Sequence, residues 1–263
     1  MPTKARGAIA RTPGAPLSIE EFTIGDPGPN EVLVRILASG VCHTDLGVKM
    51  GVYGSEGYPF LMGHEGAGVI EAVGPGVTKH KVGDHVILAW RAPCGEGRFC
   101  RNPVLGIGPF CTHTLVHADQ AVGYDPALPA PQMSLIGCGV MTGVGAALYA
   151  AGVSPGSSAA VFGCGGVGNS VIAGAKLGGA TTIIAVDIDP KKLEWAKDFG
   201  ATHTVNAAEV DPVAKIKEIT GGHGANFTFE AVGKAQTLDQ ALWSRDLAGT
   251  CVLIGVPGPG PEL

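Results

Sequence analysis

The sequence predicts an α/β protein in two parts: a barrel-like β domain over residues 1–139, then a parallel sheet with crossover helices over residues 140–263. Three observations predict this. In the first half, short strands are separated by Gly and Pro: EVLVRILAS, GAGVIEAVG, DHVILAW and HTLVHA. From about Gly139, the apolar runs AAVFG, TIIAVD, ANFTFEAVG and TCVLIGVP alternate with helical stretches rich in small residues. Charged residues make up only 16% of the chain while 42 positions are Gly, the balance of a turn-rich protein whose strands are buried on both faces. Between two of the runs, KKLEWAKDFG predicts a helix with Leu193, Trp195, Ala196 and Phe199 as its apolar stripe and Gly200 as its stop.

Charge and composition exclude several roles. A net charge of −5 without a basic run argues against a nucleic-acid partner, because phosphate binding needs clustered Lys and Arg. The N-terminal MPTKARGAIARTPG lacks the apolar stretch of a signal peptide, and no run reaches membrane-spanning length, so no membrane partner and a cytoplasmic address are expected. Seven Cys, an odd number set beside Gly and His, suit metal or cofactor roles with reduced thiols better than a disulfide framework.

The most specific local signal starts at Ala159. A strand runs into Gly163, Cys164, Gly165, Gly166, Val167 and Gly168, a G-x-G-x-x-G string that opens the helix SVIAGAKLGG. The first Gly permits the tight turn, the second lets backbone approach a pyrophosphate, and the third lets helix and strand pack closely. Asp187 ends the next strand, nineteen residues beyond Gly168. A carboxylate there accepts hydrogen bonds from an adenosine ribose and repels a 2′-phosphate, so the expected ligand is NAD on a Rossmann-type sheet. Lys192 either flanks the adenosine hydroxyls or is a solvated lysine at a helix start.

A second constellation lies upstream. Cys42 follows a strand in GVCHTD, His64 precedes one in GHEGAG, and Cys138 sits at the domain boundary in IGCGVMTG. Two thiolates and an imidazole would complete three sides of a tetrahedral zinc site and leave a fourth position open.

Together, GVCHTDLGV, MGHEGAGVIEAVGPGV, VGDHV, GCGVMTGVGAA, VFGCGGVG and IIAVDIDPKKLEWAKDFGAT resemble the zinc-dependent alcohol dehydrogenases of the medium-chain dehydrogenase/reductase family. GCGVMTG and LAWRAPCG are similar to the bacterial branch near the S-(hydroxymethyl)mycothiol and hydroxymethylglutathione dehydrogenases. The resemblance implies a GroES-like catalytic domain, with Cys42, His64 and Cys138 binding the catalytic zinc. It implies that Thr44 hydrogen-bonds the substrate oxygen, that Asp45 orients the His64 imidazole, and that Glu65 approaches the metal transiently. It places His43 at the cofactor pyrophosphate and Thr142 against the nicotinamide. The reaction implied is NAD-linked oxidation of a primary alcohol or a hydroxymethyl-thiol adduct, reversible with the aldehyde. Homo-oligomers are expected of full-length relatives.

Three departures from the family are visible. Its structural-zinc pattern C-x2-C-x2-C-x7-C keeps Cys94 and Cys100 but has Gly97 and Gly108 at the other positions; Cys111 and His113 are the nearest substitutes, and no structural zinc is expected. Gly47 stands where many relatives carry the proton-relay His. Relatives continue beyond TCVLIGVP with further Rossmann strands, a subunit contact and a return into the catalytic domain, so a chain stopping at Leu263 is expected to be truncated, with an incomplete sheet. Two other readings stay open at this point: a zinc-free quinone or enoyl reductase of the same superfamily, and a catalytically impaired NAD-binding fragment.

Overall fold

The computed structural model describes residues 2–52, 57–90 and 107–257. The chain forms two compact units, Met1–Cys138 and Gly139–Leu263.

The first unit is antiparallel. Strand β1 (Thr3–Ala10) pairs with β2 (Ser18–Ile24) and with the short β4 (Phe60–Leu61). A second sheet has the order β7-β3-β5-β6-β8, formed by β3 (Glu31–Ser39), β5 (Gly66–Val73), β6 (His85–Leu88), β7 (His113–His117) and β8 (Ala121–Gly123). Val32, Val34, Ile70, Val86, Leu88 and Val116 share one buried cluster, which is the alternate-residue face that period-2 side chains create. Two helices accompany these sheets, α1 (His43–Met50) after β3 and α2 (Ala130–Ser134) near the end of the unit. The sheet of β1 and β2 is not evident from the sequence, because TKARGAIA is interrupted by Lys4 and Arg6 and SIEEFTI by the adjacent Glu20 and Glu21, so neither carries an apolar run.

The second unit opens with α3 (Gly139–Gly145), which continues into a π-helical turn over Ala146–Ala151. Five parallel strands follow in the order β11-β10-β9-β12-β13: β9 (Ser158–Phe162), β10 (Thr182–Asp187), β11 (His203–Asn206), β12 (Ala225–Glu230) and β13 (Arg245–Leu253). The crossovers are α4 (Gly166–Leu177), α5 (Pro190–Phe199), α6 (Pro212–Ile219) and α7 (Ala235–Trp243). Both faces are covered, as the near-continuous apolar runs require. Ala159, Val161, Ile183 and Ala185 pack with Val171, Ile172 and Leu193 on one side, and Ala160, Phe162, Ile184 and Val186 pack with Ile216 and Ala241 on the other.

Helix α5 corrects one expectation. Leu193 and Ala196 are buried, but Trp195 and Phe199 are 48% and 45% exposed. The inward stripe follows the three-residue step from 193 to 196, which turns Trp195 outward; there the Lys191 ammonium lies 5.1 Å from its ring centroid. Strand β13 also begins five residues before the TCVLIGVP run, and its pairing with β12 shifts register between Ala225 and Phe227.

Thr228, in mid-β12, is completely buried and its hydroxyl finds no hydrogen-bond partner. A buried unsatisfied hydroxyl is destabilising, and valine has the same shape without it. Thr228→Val is therefore expected to stabilise the protein by about 1 kcal/mol, raising the midpoint of a thermal melt by about 2–4 °C. An unchanged or lower midpoint would show that the hydroxyl is satisfied. Among the described residues, no single helix is long and apolar enough to cross a membrane.

Candidate functional site

The first cluster is assembled where β3, α1 and β5 meet. Strand β3 pairs with β5 so that Ser39 lies opposite Gly66. The Gly40 N–H and the Ser39 hydroxyl both donate to the Glu65 carbonyl, at 3.1 and 2.6 Å, which joins the end of β3 to the His64–Glu65 segment. Cys42 is the N-cap of α1 in extended conformation. Buried Asp45, in the first turn of that helix, accepts the Cys42 N–H at 2.9 Å through Oδ2, and its Oδ1 lies 3.0 Å from His64 Nδ1. A single carboxylate thus fixes one residue's backbone and another's ring. Cys138 arrives from the turn Leu135–Gly137, where Gly137 lies so close to the Leu88 carbonyl that a Cβ would come within 2.2 Å of it.

These segments bring one potential ligand atom each from Cys42, His64, Glu65 and Cys138 within 4.8 Å of one another. His64 Nε2 is buried with no hydrogen-bond partner. Two sulfurs, an imidazole nitrogen and a carboxylate oxygen form a donor set that suits zinc, and the orphaned nitrogen is what an imidazole aimed at a metal looks like without the ion. The electrostatics agree. The Cys138 hydrogen bond, aided by His64 and Thr44 against the opposing effect of burial, draws the Cys42 thiol well below its ordinary range. Burial opposes charge on His64, but Asp45 and the nearby Cys42 sulfur outweigh it and raise the imidazole. A thiol drawn toward its thiolate form beside a ring nitrogen is a donor set that suits a metal cation.

Thr44 is half-buried, hydrogen-bonds toward Cys42 and sits in the first turn of α1; His43 beside it is exposed. Cys94, Gly97 and Cys100 lie outside the described residues. Cys111 donates to the carbonyls of Gly108 and His113 at 2.9 and 2.8 Å, and burial pushes its thiol up to about 12. His113 Nε2 lies 3.2 Å from Glu71, so Cys111 and His113 are engaged with separate partners.

The second cluster lies at the carboxyl ends of the parallel strands. Gly163 takes a φ of +93°, open to glycine at little cost, and donates to the Val186 carbonyl at 2.8 Å. At Gly168 a Cβ would fall 1.7 Å from the Gly163 carbonyl oxygen, so the third glycine is a steric requirement of the turn. Gly165 caps α4, and Gly165 and Gly166 are exposed while Val167 is half-buried. The first α-helical bond runs from Asn169 N–H to Gly165 O, so the N–H groups of Gly166, Val167 and Gly168 precede it, an arrangement suited to an anion. Asp187 is held by three backbone donors: Cys164 N–H at 2.7 Å on Oδ2, with Ile188 and Asp189 N–H at 2.8 and 3.0 Å on Oδ1. The turn and the acid are therefore hydrogen-bonded to each other directly. Lys192 is half-buried near Cys164, where its charge acts against the burial that pushes that thiol up to about 12. Thr142 lies on α3, whose Gly143 packs against Val167 and Ser170 of α4.

Residues 28–126 match the alcohol dehydrogenase GroES-like domain, and residues 166–263 match the zinc-binding dehydrogenase family. Among solved structures, the chain is similar to an alcohol dehydrogenase zinc-binding domain protein from Burkholderia ambifaria, with 37% identity and a TM-score of 0.92 over 100% of this chain and 80% of that one. It is similar to the benzyl alcohol dehydrogenase of Acinetobacter calcoaceticus, with 35% identity and a TM-score of 0.91 over 99% and 79%. A zinc-binding dehydrogenase from Sinorhizobium meliloti, solved bound to NADP, matches at 26% identity and a TM-score of 0.90 over 99% and 79%.

Proposed function

The chain belongs to the zinc-dependent alcohol dehydrogenases of the medium-chain dehydrogenase/reductase family, and from that premise we propose that it oxidises a primary alcohol or a hydroxymethyl-thiol adduct, reversibly, with NAD as hydride acceptor. The observation that carries this reading is the convergence of Cys42, His64, Glu65 and Cys138 with an orphaned His64 Nε2. It disfavours a zinc-free reductase, which has no use for two converging thiols and an imidazole. The benzyl alcohol dehydrogenase neighbour supports a primary alcohol.

Zinc held by Cys42, His64 and Cys138 would supply Lewis-acid polarisation of the alcohol oxygen, bringing the hydroxyl pKa toward neutrality. The remaining chemistry belongs to the protein. Asp45 can only accept from the His64 ring, so the hydrogen sits on Nδ1 and the Nε2 lone pair is left free for the cluster. Thr44 takes the alcohol proton on its hydroxyl oxygen as it releases its own outward, and Gly47, where relatives carry a relay His, leaves the next step to water or a cofactor hydroxyl. The Glu65 carboxylate, which converges with these three ligands, would lie within reach of the metal. In the second unit, the turn from Gly163 to Gly168 would receive the pyrophosphate and Asp187 the adenosine ribose, with Thr142 against the nicotinamide and Lys192 flanking the adenosine hydroxyls. The Sinorhizobium protein was solved bound to NADP; Asp187, whose charge would repel a 2′-phosphate, is what favours NAD here.

The test is zinc content together with NADH formation from ethanol, benzyl alcohol, and formaldehyde plus a thiol. Bound zinc with turnover supports the proposal; turnover without zinc, or cofactor binding without turnover, overturns it. A finer test concerns the ring tautomer. Asp45→Asn presents an amide N–H or a weaker acceptor to His64 and frees the ring to carry its hydrogen on Nε2, inside the cluster. Zinc affinity is expected to fall about 10–100-fold in competition with a chelator, and an unchanged affinity would remove Asp45 from the role.

A further inference from the structure

Among the described residues of the second unit, Glu230 is a buried carboxyl group that the chemistry above leaves without a task. It ends β12 and is 1% exposed. One oxygen, Oε1, accepts three hydrogen bonds: from Val232 N–H and Gly233 N–H, both at 2.9 Å, and from the Thr237 hydroxyl at 2.7 Å. The other, Oε2, lies against Gly255, where a Cβ would come within 2.5 Å of it. The Glu230 carbonyl accepts from Ile254 and Gly255 N–H at 2.8 and 3.0 Å. The loop after β12, the loop after β13 and the first turn of α7 therefore converge on one residue.

That residue is tied to the nucleotide turn. Ala231 N–H donates to the Phe162 carbonyl at 2.9 Å, and the space left by the missing Gly163 side chain is taken by Val232, whose Cγ2 would lie 2.6 Å from a Cβ there. Strands β9 and β12 are neighbours, yet the chain leaves β9 toward β10 on one side and reaches β12 on the other. In open parallel sheets, such a switch point is where the crevice for a ligand opens. The Gly163 turn is one bank of this crevice and the segment Ala231–Gly233 is the other. Burying a carboxyl group is costly unless it is hydrogen-bonded, and here two of the three bonds to Oε1 come from the backbone of that second bank and the third from Thr237.

We infer that Glu230 is a positioning residue for the cofactor: it holds Val232 and Gly233 against the Gly163 turn, so that the crevice keeps the width a dinucleotide needs. This rests on the proposed reading of the turn as an NAD site. The test is NADH affinity, read from nicotinamide fluorescence on the full zinc-loaded chain. Glu230→Ala removes all three side-chain bonds and is expected to weaken NADH binding by about tenfold or more, whereas Glu230→Gln keeps an acceptor oxygen and stays within about threefold. Ile216→Val, in the buried face of α6 away from these loops, is the control for stability alone; it is expected to lower the melting midpoint while leaving NADH affinity unchanged. If Glu230→Ala does not fold, Thr237→Val decides, with a loss of about threefold expected from one missing bond. Unchanged affinity in Glu230→Ala, or in Thr237→Val in its stead, overturns the inference while leaving the cofactor reading intact. Failure of the wild-type chain to bind NADH overturns both.

Discussion

Cys42→Ser and His64→Ala are each expected to lose bound zinc and to lower kcat/KM by at least about a thousandfold, while NADH still binds with nearly its original affinity. The size follows from the cluster's construction. Among the described residues, Cys42, His64, Glu65 and Cys138 converge within 4.8 Å. Serine at 42 replaces a thiolate, held low by Cys138, His64 and Thr44, with a hydroxyl that stays protonated at neutral pH and is a poor zinc ligand. Alanine at 64 removes the orphaned Nε2 and strands the buried Asp45 carboxylate without its ring partner. Neither change touches the second unit, where the glycine turn and Asp187 lie. The measurements are zinc content after dialysis, steady-state NADH formation, and NADH affinity by fluorescence. Undiminished turnover in either variant would sink the zinc assignment, and lost NADH binding in both would point to unfolding instead.

The two clusters differ in how far the sequence alone reveals them, for a physical reason. The glycine turn is local: the contact of Gly168 with the Gly163 carbonyl is set by short-range sterics, and the link from Cys164 N–H to Asp187 across 23 residues follows from one strand–helix–strand unit in which β9 pairs with β10. The metal cluster is non-local. Cys42, His64 and Cys138 meet only because β3 pairs with β5 and because Gly137 packs onto Leu88, contacts that no spacing encodes, so family resemblance carries that prediction. The two-part α/β organisation is legible because strand runs and helical runs separate cleanly at about Gly139. What escapes is polar: β1 is interrupted by Lys4 and Arg6 and β2 by the adjacent Glu20 and Glu21, and neither has an apolar run. Trp195 is misplaced because a helix face one residue off the stripe looks equally apolar in composition. Glu230 escapes because a charged residue ending an apolar strand looks like a solvated boundary, while its partners are the N–H groups of the loop that follows.

Asp187→Ser is expected to raise KM for NAD by about 10–100-fold, the scale of one or two charge-assisted hydrogen bonds lost. The preference for NAD over NADP should fall further still, because the same change removes the charge that repels a 2′-phosphate. Two effects combine. The carboxylate is anchored by Ile188 and Asp189 N–H on one oxygen and by Cys164 N–H on the other, so it cannot swing aside to admit a phosphate without breaking bonds to the turn. Serine is too short to keep the bond to Cys164 N–H and also accept from a ribose, so the glycine turn would lose its tether as the proposed ribose site loses its acceptor. Asp187→Asn separates the contributions: it keeps the side-chain length and one acceptor oxygen but removes the charge. It should therefore recover part of the affinity for NAD while still relaxing discrimination against NADP. The decisive quantity is the ratio of kcat/KM for the two cofactors, measured at equal zinc content. A ratio unchanged in both variants would mean that Asp187 ends a strand and ties down a turn without reading the ribose.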